Sequence, residues 1–350
     1  MADHVDDPNH WLDAQIEAAG RLVTVASKAL RQRKTTQGAE ALAEAEAILE
    51  MAERETDRLL KMRARVFNEF GVVHQRRDEL PRSADYHRRA ADICDDLMEE
   101  GDRQFASNTA ATYLNLSSVL LAMGEEDEAQ ARGERAIELL DELDEDDTDS
   151  EGPNPLELGA RQNLAVIYAR QGDWEKSEET MSTAREIAEE LADAGRPNFL
   201  AQLAQGCQQL SVIFFENDRH DGALSWGRAA EELAEQAFDT MGQQVLPIYI
   251  VSQINLISYN EKLGRFADGE DCLWKALDVA GNDPRVLQRG VAFYETCRKQ
   301  ADKRLEKGNL PREEVDDGYE ELMGRVEAAG GLEKIQQQAR RARQSRSRRG

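Results

Sequence analysis

The chain has little of what marks catalytic, secreted or membrane-spanning proteins. Its 350 residues include five histidines and four cysteines, and aromatic residues make up only 6%. His4, His10, His74, His87 and His220 are too dispersed to give metal ligands at helical spacing, and none lies in H-E-x-x-H. There is no G-x-G-x-x-G after a strand pattern, no G-x-x-x-x-G-K-[ST] and no G-x-S-x-G elbow, so glycine-loop nucleotide binding and serine hydrolysis have no support. Cys94, Cys207, Cys272 and Cys297 lack C-x-x-C spacing, and three fall within helical stripes, which reads as buried free thiols. The longest apolar run, Val245 to Val251, is far below the roughly 20 residues a bilayer demands. The opening M-A-D-H-V-D-D-P is acidic and without an apolar leader. A cytoplasmic protein is expected, with no membrane contact, no cofactor, no metal and no catalytic residue. Carboxylates are plentiful, but they mostly fall on polar helix faces rather than in a desolvated cleft.

Lysine is scarce as well: ten lysines stand against 34 arginines, within a net charge of −25. Two readings stay open. An acidic, lysine-poor surface suits a salt-rich, halophilic cytoplasm, where self-repulsion is screened within a few ångströms. Alternatively, the acidic body repels nucleic acid and attracts basic partners.

What the sequence does contain is a repeat. Ala90, Ala136, Ala184, Ala230 and Ala276 stand 46, 48, 46 and 46 residues apart. Around each lies an apolar helical stripe, a break at Gly or Asp, and a second stripe, which predicts a helix, a tight turn and an antiparallel helix. Gly71, Ser117, Ala165 and Ser211 recur on the first helix, opposite the alanines. Helix axes 8 to 10 Å apart need small residues where they cross. Trp174 and Phe266 share one repeat position just after the turn, with Leu80 and His220, and are expected to plug the junction to the next repeat rather than stack on a ligand. Pro247 falls inside a predicted first helix, which must therefore begin there or kink.

The clearest copy, N-L-A-V-I-Y-A-R-Q-G-D-W-E-K-S-E from Asn163, resembles the tetratricopeptide repeat, and the long period resembles the variants found in kinesin light chain. The resemblance implies an all-α, right-handed α-solenoid of about seven helix-turn-helix repeats: 9–54, 55–101, 102–150, 151–195, 196–240, 241–283 and 284–330. In the last of these Gly308 to Pro311 supplies the turn, but Glu320 replaces the expected alanine. Atypical end repeats are expected, because an end unit faces water on one side.

Two segments stand apart. Asp141 to Pro155 is acidic and ends in turn formers, which predicts a helix end running into a solvated loop; its Asp147 and Asp149 lack the glycine and glutamate of a calcium loop. Residues 338–350 carry six arginines and almost nothing apolar, which predicts a disordered basic tail. That tail could contact nucleic acid, dock on an acidic surface or only solubilise the chain.

The resemblance also implies binding of an extended peptide along the concave side, where the first helices lie. The residue ahead of the first-helix leucine, often an asparagine in that family, is here Asn115, Asn163, Gln209 and Asn255. A carboxamide offers donors and an acceptor, so a row of them can pair with successive backbone amides of an extended chain; the bland reading is that these amides bridge helices of the scaffold. Arg65, Asn68, Gln75 and Arg76 in the second repeat neighbour this row by helical spacing. So do Gln162 and Arg170 in the fourth, Gln205, Gln208 and Glu216 in the fifth, and Glu261 in the sixth. Val166, Val212 and Phe215 would supply an apolar floor. Val72 and Gly159 stand where a clamp for a terminal carboxylate needs polar or basic groups, which argues against that mode. The expected function is a non-catalytic protein–protein scaffold or adaptor. The alternatives are a sensor whose superhelix changes when a peptide binds, and an RNA-associated adaptor using the tail.

Overall fold

A computed structural model describes residues 8–32, 34–50, 57–99, 105–146 and 154–337. The basic tail and the aspartates at 147 and 149 lie outside these residues. Every regular element among the described residues is helical. They divide into two compact units, one up to Ile167 and one from Tyr168.

The first unit holds α1 (Pro8–Arg31), α2 (Thr35–Glu50), α3 (Asp57–Arg76), α4 (Leu80–Glu99), α5 (Ala106–Met123) and α6 (Glu126–Asp146), with α7 (Pro155–Gln171) crossing its boundary. Consecutive helices pair as hairpins, α1 on α2, α3 on α4 and α5 on α6, and α1, α3 and α5 also touch in series. The second unit holds α8 (Trp174–Asp193), α9 (Asn198–Glu216), α10 (His220–Met241), α11 (Leu246–Leu263), α12 (Phe266–Ala280), α13 (Pro284–Arg298), α14 (Asp302–Lys307) and α15 (Arg312–Ala328). There α9 pairs with α10, α11 with α12 and α13 with α15, while α9, α11 and α13 form the inner series. This is the helical-hairpin stacking of a tetratricopeptide-like α-solenoid.

The repeat shows in the backbone as well as in the side chains. Asp78, Gly124, Gly172, Asp218, Gly264 and Asn309 all have positive φ, between 56° and 83°, and each ends the helix before it. The amide after this residue turns back to a carbonyl five residues earlier, as from Glu125 to Leu120 at 2.9 Å and from Arg265 to Asn260 at 2.9 Å. These bonds satisfy carbonyls that a helix end otherwise leaves without partners. All five alanines of the series are fully buried, each with 0% exposure. At the α3–α4 crossing a Cβ on Gly71 would come within 2.5 Å of the His87 ring, so glycine is needed there. Ser83 fastens the same crossing by donating to the Gly71 carbonyl at 2.8 Å.

Pro247 begins α11 rather than kinking it, after a short 3-10 turn at Gly242–Gln244. Trp174 packs edge-on against Phe214 of the next hairpin, with ring centres 5.0 Å apart. Phe266 is fully buried against Gly308, whose carbonyl accepts from the Ala267 amide at 3.0 Å. In the last hairpin the first helix of the pattern breaks after Arg298 into α13 and α14. Glu320, which the period set against the alanines, is exposed. Gly318 takes the small-residue role instead, since a Cβ there would collide with Tyr294.

Candidate functional site

The amides of the inner helices divide into two groups. In the first unit Asn68, Asn115 and Asn163 bond to side chains of neighbouring helices. Asn115 Nδ2 donates to Asn68 Oδ1 at 3.1 Å, and Asn68 Oδ1 also faces His87 Nδ1 at 2.9 Å. Asn163 Nδ2 donates to Ser118 Oγ at 2.7 Å. Gln162 is buried. Arg76 donates to the Leu30 carbonyl, closing the C-terminal end of α1. Arg65 is exposed beside Glu69, whose carboxyl burial raises above its ordinary range despite Arg65, Arg76 and Arg31 nearby. These side chains tie α1, α3, α5 and α7 together, and the row offers few unused donors.

In the second unit all but one of the corresponding amides stay open. Along α9, Gln205, Gln208, Gln209 and Val212 fall at i, i+3, i+4 and i+7, one stripe of a helix. Opposite them Gln244, Ile248, Val251 and Asn255 make the matching stripe leading along α11, with Pro247 beside it. The two stripes line a depression of about 610 Å³. No ionisable side chain lines it. Gln208 spans the space, with Nε2 donating to the Ile248 carbonyl and to Ser252 Oγ, both at 2.7 Å. The side chains of Gln205, Gln209, Gln244 and Asn255 make no hydrogen bond with the described residues, and all four line the depression. Val212, 36% exposed, is one of three large apolar side chains that stay exposed among the described residues.

Two expected groove residues lie elsewhere. Phe215 stacks on Tyr259 with centroids 4.2 Å apart and lies under the Lys262 ammonium, so it cements α9 to α11 instead of flooring a groove. Arg170 is exposed near the end of α7, away from the α9–α11 lining. The sequence pattern does not single out Gln244 and Ile248, although continuing the Asn255 stripe toward the N-terminus reaches Ile248 after two turns and Gln244, in the preceding 3-10 turn, after three.

The thiols have no nucleophilic character. Burial pushes Cys94 up to about 11 and Cys207, Cys272 and Cys297 up to about 12, so all four stay protonated at neutral pH. None forms a disulfide.

Residues 9–327 match the model of a family described as a family of unknown function, DUF6483. No curated protein matches the sequence. Among solved structures, the apo form of the quorum sensor NprR from B. thuringiensis aligns with a TM-score of 0.55 at 13% identity, covering 96% of this chain and 88% of its own. The apo form of RapI aligns with a TM-score of 0.50 at 15% identity, covering 89% of this chain and 99% of its own. Likeness at this level of identity shows a common fold and nothing further.

Proposed function

Because the chain belongs to the DUF6483 family, whose function is unknown, we propose from the chemistry of its site that it is a non-catalytic, cytoplasmic scaffold holding an extended, largely uncharged peptide segment between α9 and α11. The observation that carries this is the α9–α11 depression, with five carboxamides above an aliphatic floor and no ionisable group. Carboxamides donate and accept at once, so they match backbone amides whatever the side chains, while Val212, Ile248 and Val251 take up apolar ones. At about 610 Å³ the space lies within the roughly 300–1,000 Å³ of ligand sites and holds a few residues of a peptide. Four free, protonated thiols support a reducing compartment and a role without nucleophilic chemistry.

A sensor variant of the same reading has one feature in its favour. Gln208 is a tie between α9 and α11 that faces the depression, so a peptide competing for its Nε2 would loosen that pair. NprR, described as a quorum sensor, shares the fold and lends the variant nothing more than that.

The test is selection from a display library of random peptides against the full chain, followed by affinity measurement on variants. Binders should be poor in charged residues. Replacing Gln209 and Asn255 together by Ala should weaken them by about tenfold or more, from two lost hydrogen bonds of roughly 1 kcal/mol each. Asn163→Ala should leave affinity unchanged. Equal affinity in the double variant, with helicity retained, would sink the assignment. Gln208→Ala should enlarge the chain in solution scattering only under the sensor variant.

A further inference from the structure

A second concavity of the same unit, between α10 and α12, is built from different chemistry. It encloses about 810 Å³ over a floor that includes Leu224 and Leu256. Three ion pairs cross it or line its rim: Arg185–Glu232 at 3.2 Å, Arg265–Asp221 at 3.6 Å and Lys275–Glu231 at 3.2 Å. Asp268, Asp271 and Glu235 remain on the acidic side without an ion pair, against Arg228 as the one cation left over among the lining residues. The lining therefore carries two more negative than positive charges. Burial first, then the nearby Glu231 and Glu232, hold the Glu235 carboxyl above its ordinary range against the opposing pull of Lys275 and a hydrogen bond with Tyr249.

An independent observation asks for a ligand of matching sign. Asn260 lines this cavity, is 2% exposed, and its Oδ1 has no hydrogen-bond partner. Two turns earlier on α11 and outside the cavity lining, Gln253 is fully buried and its Nε2 donates to Glu231 at 2.8 Å, which ties that carboxylate to α11. A buried acceptor without a donor is a standing cost that an incoming N–H group removes. Excess carboxylate and the unmet Asn260 acceptor point to the same group, a cation rich in N–H.

We propose that the cavity between α10 and α12 binds a small alkyl diamine, one ammonium donating to Asn260 Oδ1 and both ammoniums balanced by Asp268, Asp271 and Glu235. The Leu224–Leu256 floor receives the methylene chain, and the two excess negative charges match a dication. The site is separate from the α9–α11 depression and stands or falls without it.

The probe is butane-1,4-diamine, titrated calorimetrically into the full chain at constant ionic strength set with NaCl. One saturable site per chain is expected. Affinity should fall at least tenfold in Asn260→Leu and in Asp268→Asn combined with Asp271→Asn. It should not change in Glu142→Gln, an acid removed elsewhere, or in Gln209→Ala with Asn255→Ala. Heat that never saturates, or an equal loss in Glu142→Gln, shows general attraction to an acidic chain and overturns the site. Full affinity in a folded Asn260→Leu also overturns it. Should Asn260→Leu fail to fold, the exposed Asp268 and Asp271 pair decides by the same criterion.

Discussion

At the residue scale, His87 shows how a close helix crossing limits what a side chain can do. Its ring is fully buried where Gly71 leaves room for it, Nδ1 meets Asn68 and Nε2 has no partner. Burial disfavours the imidazolium and lowers the pKa from 6.5 to about 4. The unfolded chain thus binds a proton that the folded chain refuses between those values. Stability from this residue is complete above about pH 6.5 and falls as pH drops toward 4, by about 3 kcal/mol at 1.36 kcal/mol per unit. Denaturant unfolding of wild type and His87→Gln across that range should show the smaller slope in the variant; parallel curves would refute the assignment. The turn residues supply a second case. Asp78 bears a left-handed penalty of about 1–2 kcal/mol that glycine avoids, less glycine's entropy cost of roughly 0.5–1 kcal/mol. Asp78→Gly should therefore raise the unfolding midpoint slightly, and Gly264→Ala, also at positive φ, should lower it.

At the element scale, the helices were easier to read than the use made of their faces. Periodicity placed Asn115, Asn163, Gln209 and Asn255 at one position of successive first helices, but position does not reveal a partner. Ser118, one turn along α5, captures Asn163, and Asn68 captures Asn115. Nothing of the kind stands within reach of Gln209 or Asn255. The distinction rests on small polar residues of the neighbouring helix, which a pattern of apolar stripes passes over. Phe215 differs for a related reason: the stripe gives it an inward place, while Tyr259 on the next helix draws it into a stack. A double-mutant cycle separates the two kinds of amide. Asn163→Ala with Ser118→Ala should give a coupling of about 1 kcal/mol in unfolding free energy, whereas Gln209→Ala should stay within about 0.5 kcal/mol of wild type. A destabilised Gln209→Ala would make that residue part of the scaffold and remove it from the binding surface.

At the scale of the whole molecule, the period was legible because every hairpin solves the same two problems, a close crossing and a tight reversal. Alanine solves the first and glycine, aspartate or asparagine the second, so both leave a mark every 45 to 48 residues. The last hairpin was less legible because α14 interrupts its first half, and the small residue moved from 320 to 318. Charge is the remaining whole-chain property, and it has a consequence that the local contacts do not. Most ion pairs here join partly exposed side chains, such as Arg135–Glu138 and Arg185–Glu232, and these weaken with salt. The excess of 25 negative charges repels itself over longer distances, and salt weakens that repulsion too. The two effects oppose each other. Exposed pairs contribute only about 0–1 kcal/mol each, while acids outnumber bases 69 to 44, so relief of repulsion should prevail. The melting temperature should rise steadily as NaCl is added to dilute buffer, and replacing surface acids by their amides should flatten the rise. A melting temperature that falls with NaCl would mean that the ion pairs outweigh the net charge, and the acidic surface would then owe nothing to a salt-rich setting.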